Sequence, residues 1–260
     1  MAYPDRGLHG HVVRAVGRRI VSGAIEPGTR FNTDALEVEF DVSKTVIRES
    51  LKVLAAKGLI DARPRRGTYV RPRSEWSLLD PDLLRWQVEG TSKAKLLDDL
   101  AEVRQIVEPA AARLAALRRT EKDLVELETA LASVGPYSTA AQITEADLRF
   151  HRALLSATRN NLLQRMEYVI EIVLHARDLL VHADGHRDDF MPPHVAVLDA
   201  VRASDPDAAE AAMRRLLHQA AIDARVARDA SPPLHDDRDT EAGQPARASQ
   251  AETPPESGAD

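Results

Sequence analysis

Residues 27–70 read PGTRFNTDALEVEFDVSKTVIRESLKVLAAKGLIDARPRRGTYV, and the fold of the N-terminal part follows from this run. Asp34–Phe40 has the length of a short helix and ends at the turn Asp41-Val42. Ser43 suits the N-cap of a longer helix, because its hydroxyl can accept from a first-turn N–H that has no partner inside the helix. Ile47, Leu51 and Leu54 then fall on one face, and Gly58 supplies a C-terminal stop. Leu59–Ala62 and Thr68–Val70 read as two short strands joined by Arg63-Pro64-Arg65-Arg66-Gly67. Upstream, Val12, Val16 and Ile20 recur at helical spacing and stop near Ser22-Gly23. Three helices followed by a hairpin are the layout of a winged helix-turn-helix.

In such a head the second helix of the motif enters the major groove with its N-terminal end foremost. Ser43, Lys44, Thr45 and Arg48 are therefore expected to face DNA. Lys44 can reach a base acceptor or a phosphate, Thr45 offers a hydroxyl and a methyl, and Arg48 can pair bidentately with guanine or clamp a phosphate. Arg63, Arg65 and Arg66 beside Gly67 form a basic wing tip suited to the minor groove or the backbone. A lone basic pair is more often a solvated helix face; the ordered set of turn, capped helix and arginine-tipped hairpin is far more specific. Charge runs the same way. Of the 260 residues, with net charge −6, positions 1–74 hold 14 Lys/Arg against 8 Asp/Glu, and the remainder hold 21 against 33. A basic head on an acidic body suggests that only the head meets a polyanion.

From Trp76 onward the pattern is helical throughout. Helices are expected over 81–89, 93–118, 121–133, 140–158, 161–183, 193–203 and 206–228. The clearest stripe in that at 93–118 is Leu96, Leu100, Val103, Val107, Ala110, Leu114 and Leu117. Short connections favour antiparallel packing. The fold class is mostly α: a winged helix-turn-helix over 1–74, an all-α antiparallel helical bundle over 75–230, and a tail over 231–260 too polar and Pro-rich to order itself. There is no cysteine, no apolar run long enough to span a bilayer and no secretory leader, which points to the cytoplasm and excludes disulfides and thiolate-bound zinc.

Within the bundle, Asp147 and His151 lie four apart and share a helix face, a spacing that suits a metal pair. His194 shares a face with Val197, Leu198 and Val201 and so points inward. A carboxylate and two imidazoles converging there would suit zinc, nickel or manganese, although a lone inward histidine is more often a hydrogen-bonded core residue. Arg104, on the flank of the apolar stripe, needs an anion if buried. An acidic ligand would supply one, and so would Glu108 or Glu102.

The run 27–70, with Val42-Ser43-Lys44-Thr45, Val46-Ile47-Arg48-Glu49-Ser50-Leu51, Lys57-Gly58-Leu59-Ile60 and Arg66-Gly67-Thr68-Tyr69-Val70, resembles the DNA-binding domain of GntR-family bacterial regulators. The family more often has arginine at the position of Lys44, and many members carry another arginine in the preceding helix, where this chain has Asp34. Residues 76–228 resemble the FadR-type (FCD) effector domain. Glu102-Val103-Arg104 through Glu108-Pro109, Asp147-Leu148-Arg149-Phe150-His151 through Asn160, and His194 through Val201 carry that likeness. It implies metal ligands at Asp147, His151 and His194, effector contacts at Arg104, Glu108 and Asn160, a homodimer, and a pseudo-palindromic double-stranded DNA operator. A third histidine usual in the last helix is replaced by Leu216, and His218, roughly 200° further round, is a poor substitute. The segment Trp76–Trp86 is similar to that of regulators of sugar-acid catabolism. The expectation is a repressor released by an aldonate such as galactonate, with lactate, other hydroxy acids and fatty acyl groups as alternatives. A metal-dependent enzyme fits less well, since no further general base stands in a recognisable motif.

Overall fold

The computed structural model describes residues 7–63, 67–90, 93–181 and 190–230. Arg65, Arg66 and the tail 231–260 lie outside them. The head is built from α1 (Gly7–Val21), α2 (Thr33–Phe40), α3 (Lys44–Ala56) and the antiparallel pair β1 (Ile60–Arg63) and β2 (Gly67–Val70), in register Ile60↔Val70 to Arg63↔Gly67. Asn32 caps α2 by accepting from the N–H groups of Asp34 and Ala35, and Ser43 caps α3 by accepting from Val46. Each such cap is worth about 1 kcal/mol. Ile47, Leu51 and Leu54 turn inward onto Val12, Val16, Ile20, Leu59, Ile60 and Val70. Gly58 ends α3 at φ +77°, and a Cβ there would come within 3.0 Å of the Glu75 carbonyl oxygen, so no other residue fits without strain.

A connector helix, α4 (Pro81–Val88), belongs to both halves. Leu83 and Trp86, with Trp76, pack into the head core, while Leu84 packs with Leu100, Val169 and Ile172 of the body. The body comprises α5 (Lys93–Arg118), α6 (Glu121–Ala132), α7 (Ala140–Ala157), α8 (Asn161–Gln164), α9 (Glu167–Val181), α10 (Met191–Arg202) and α11 (Pro206–Ala230). Its main core joins Ala112, Ala115 and Ala116 of α5 to Leu127 and Leu131 of α6, Phe150 and Leu154 of α7, Val197 and Val201 of α10, and Met213, Leu216 and Leu217 of α11.

Two expectations need correction. The helix expected over 161–183 is broken at Arg165-Met166, giving α8 and α9. The bend brings both Leu163 and Met166 onto the cluster of Ala111, Leu148, Leu155, Ile170 and Leu174, so tertiary packing overrides a sequence that holds no Pro or Gly. The stripe expected on α5 is also rotated. The residues it buries are Leu100, Arg104, Glu108, Pro109, Ala111, Ala112, Ala115 and Ala116, whereas Ala110 is exposed and Leu117 is 60% exposed. Alanines let α5 approach its neighbours closely, and a charged pair fills the remaining inward positions. Apart from Leu100, the large apolar side chains of the expected stripe are therefore not the buried ones.

Candidate DNA-reading face and buried polar array

Ser43, Lys44, Thr45 and Arg48 are all exposed on the leading end of α3, which the cap at Ser43 and the inward grip of Ile47 and Leu51 hold in place. Lys44 is not free there. Its Nζ lies 2.7 Å from Asp34 Oδ1 and 3.8 Å from Glu37 Oε1, both on α2. The Asp34 contact, followed by Glu37, raises the Lys44 pKa. Arg63, at the base of the wing, is likewise held. Its Nε donates to Asp61 at 2.8 Å, Tyr69 Oη donates to the same oxygen at 3.1 Å, and the guanidinium lies 6.0 Å from the Tyr69 ring centre. Gly67, the first residue of β2, adopts φ +74° and is exposed. The carboxylates of Asp34 and Asp61 were not legible as partners from spacing alone.

The head is fastened to the connector at the far end of α3. Lys57, buried, donates to Asp80 at 3.0 Å and reaches Asp82. Asp80 at the same time caps α4 by accepting from Asp82 and Leu83. Burial opposes the Lys57 charge, but Asp82 and Asp80 outweigh it and its pKa rises. Trp76 Nε1 donates to the Arg71 carbonyl, Arg73 donates to Gln87 at 2.8 Å, and the Trp86 ring lies directly over Gly17 of α1. The sequence Asp80-Pro81 carries the one available sign of this, a capping carboxylate before a first-turn proline.

Inside the body, α5, α7 and α10 bring together Arg104, Glu108, Asp147, His151 and His194, all at most 6% exposed. Arg104 and Glu108 pair along α5, with Nη2 to Oε2 at 3.3 Å. His151 lies between two carboxylates: Nδ1 is 2.7 Å from Glu108 Oε2, close but poorly aligned for a hydrogen bond, and Nε2 is 3.1 Å from Asp147 Oδ1. Burial works against its charge, yet Glu108 and Asp147 prevail and raise its pKa to about 9. Burial also opposes ionisation of Glu108, but Arg104 and His151 bring it down to about 2. Asp147 is held well below the ordinary carboxylate range against the same burial, chiefly by its hydrogen bonds to His151 and His194.

His194 is held at both ring nitrogens. Its Nδ1 lies 2.7 Å from the Phe190 carbonyl oxygen, which can only accept, so Nδ1 carries a proton. Nε2 lies 3.0 Å from Asp147 Oδ1. A proton on Nε2, donated to the carboxylate, satisfies this contact, and so would a metal ion bound in its place. The ligating atoms of Asp147, His151 and His194 lie within 4.8 Å of one another, and outer partners (Phe190 for His194, Glu108 for His151) orient both rings, so the donor set fits a divalent metal. Leu216 is buried in the main core where a further histidine would sit, and His218 is exposed. Asn160 follows α7 and stands at the start of α8. Its side chain accepts from Leu162 and Leu163 and caps α8. A surface groove of about 800 Å³ beside Arg149, Arg152 and Gln164 includes none of the five residues.

A winged-helix head joined through a shared connector to a helical bundle with a buried polar array is the layout of a DNA-binding transcription regulator. Comparison with known proteins makes the class specific. Residues 8–70 match the gntR family of bacterial regulatory proteins and residues 99–219 match the FCD domain. The chain is 36% identical over 205 residues to the galactonate operon transcriptional repressor of Escherichia coli (strain K12), covering 77% of this chain and 90% of that protein. It is 32% identical over 206 residues to YieP, an uncharacterized HTH-type regulator of the same strain, covering 78% and 89%. A solved structure of Lar, described as controlling the Listeria monocytogenes agr system, shares the fold with a TM-score of 0.58 at 17% identity over 86% of this chain and 99% of that one. This chain belongs to the GntR family and carries an FCD domain, and the head of this family binds double-stranded operator DNA. Among the described residues no helix is long and apolar enough to cross a membrane.

Proposed function

We propose that this chain is a homodimeric repressor of a sugar-acid catabolic operon, released from a pseudo-palindromic operator when an aldonate such as galactonate enters the body. The observation that carries the reading is the buried array, where a guanidinium, two carboxylates and two imidazoles converge. Asp147, His151 and His194 would hold a divalent metal such as zinc, nickel or manganese, which would supply an electrophilic site for ligand oxygens. Arg104 would take the effector carboxylate, exchanging part of its pairing with Glu108 for it. The name of the galactonate operon repressor supports the choice of acid. Asn160, which caps α8 through Oδ1, would offer the effector its amide group.

The functional units are a head, 1–74, that reads DNA through Ser43, Lys44, Thr45, Arg48 and the wing residues Arg63, Arg65, Arg66 and Gly67, and a body, 75–230, that senses and dimerises. Ile106 and Leu117, exposed on one face of α5, support pairing of two bodies. The connector α4 couples the two units. Leu84 rests on Leu100 of α5, four residues from Arg104, while Asp80 and Asp82 grip Lys57 at the end of α3. A ligand that favours one seating of α4 therefore favours one spacing of the paired recognition helices.

Thermal unfolding of the full chain with galactonate, lactate and a medium-chain fatty acid, each with and without chelator, tests this. Saturation at 100 times Kd stabilises a fold by about 2.7 kcal/mol, a shift of several degrees. A galactonate shift that chelator abolishes is expected. A shift with lactate or fatty acid alone would move the effector class, and no shift with any acid would discard the sensing role.

A further inference from the structure

We propose that Asp34 is a specificity-determining residue of the head, acting with Lys44 as one unit that reads a single C·G base pair in a fixed orientation. The inference rests on the reading that α3 enters the major groove through Lys44. Three observations carry it. Asp34 is 75% exposed at the leading edge of the motif, so its carboxylate approaches DNA together with α3. Its Oδ1 lies 2.7 Å from Lys44 Nζ. Behind the pair, Glu37 Oε1, buried and without a hydrogen-bond partner, lies 3.8 Å from the same ammonium. Two carboxylates thus face one ammonium, so Lys44 contributes little to neutralising phosphate. Among the described residues no carboxylate forms an ion pair with Arg48, which leaves it as the backbone or guanine contact of α3.

A carboxylate at the DNA surface repels phosphate and can only accept hydrogen bonds. The major-groove groups it can use are the cytosine N4 and adenine N6 amino groups. In a C·G pair the cytosine amino donor and the guanine O6 acceptor are joined by a base-pair hydrogen bond and so stand about 2.9 Å apart. That spacing matches the ion pair, which offers an acceptor and a donor at 2.7 Å. Asp34 would take the cytosine amino group while Lys44 donates to guanine O6 and its neighbour N7. An A·T pair presents the same donor–acceptor order, but beyond the acceptor stands the thymine methyl instead of N7, so it ranks second. The reversed pairs, G·C and T·A, would set the Asp34 carboxylate against a base oxygen and are rejected.

Selection of the full-length chain on a randomised duplex library, run in parallel with Asp34→Ala, Asp34→Asn and Lys44→Ala, tests the proposal. Thermal unfolding of each variant controls for folding. The native protein should enrich one position per half-site for cytosine, then adenine, on one strand, by about tenfold over the reversed pair. Asp34→Ala should erase this orientation and bind random duplex more tightly, with a salt slope steeper by roughly one phosphate. Asp34→Asn, whose amide can accept or donate, should tolerate both orientations. If Asp34→Ala selects the native motif while Lys44→Ala changes it, Asp34 is an ordinary surface partner and the proposal fails alone. If Lys44→Ala also selects the native motif, the assumed placement of α3 fails with it.

Discussion

The head and the body treat charge in opposite ways. On the head, Lys44 and Arg63 meet Asp34 and Asp61 at the surface, where water screens each pair and both partners stay open to a DNA contact. In the body, Arg104, Glu108, Asp147 and His151 are shut away from water, where each charge depends on the others. Exposed pairs suit a surface that must bind and leave DNA quickly. A buried array suits a switch, because adding or withdrawing one charge disturbs all of it. The Lys57 pairs with Asp80 and Asp82 lie between these extremes, at the junction that joins the two regions.

The largest test of the contrast removes one buried charge. Glu108→Ala should destabilise the chain by about 3–5 kcal/mol in urea unfolding, since it strands Arg104 and His151 without their carboxylate. Asp34→Ala on the head should change stability little by the same assay. Comparable losses at both sites would remove the distinction between a locked body and an exchangeable head.

Proton linkage gives the next effect. His151 is raised from an ordinary 6.5 to about 9, so its contribution is fully present below pH 6.5 and is lost as pH rises through 9. Glu108 is lowered from 4.5 to about 2, so its contribution is present above pH 4.5 and is lost as pH falls toward 2. The metal-free chain should therefore be most stable between about pH 4.5 and 6.5 and lose on the order of 3 kcal/mol well above pH 9. Zinc should act in the reverse sense, stabilising more as pH rises, because it needs the imidazole unprotonated. Urea midpoints at pH 6 and pH 9.5, with chelator and with zinc, give both signs. A zinc effect that does not grow with pH would place the ion elsewhere.

How far the sequence revealed these regions follows the same division. The head's elements were legible because each has a local signal: the Ser43 cap, the Ile47-Leu51-Leu54 face and the Gly58 stop all occur where their spacing implies. In the body, Asp147 and His151 were legible from i, i+4 spacing on one helix, and His194 from its inward face. The α5 packing was not, since a stripe of large apolar residues outweighs alanines in any sequence pattern while close helix contact prefers the alanines. The pairing of Asp34 with Lys44 and the Phe190 carbonyl under His194 depend on how elements are brought together. Spacing carries no record of that.

The junction supplies the two smaller tests. Lys57→Met should cost about 2 kcal/mol, less than loss of Glu108, because Asp80 keeps its capping bonds and some access to water. Gly17→Ala is smaller still, and its sign is the informative part. At an ordinary helix interior this change stabilises by roughly 1 kcal/mol. Here the new Cβ would sit 2.4 Å from the Trp86 ring, so the ring must move or α1 must bend, and overpacking of this kind costs about 1–3 kcal/mol. The expected net is a loss near 1 kcal/mol, with a red shift of tryptophan emission as Trp86 leaves the head core. A gain in stability with unchanged emission would mean that the connector is not seated against the head in solution. Coupling would then have to run through the Lys57 pairs alone, and the contrast between a reading surface and a sensing core would lack the rigid joint that lets one act on the other.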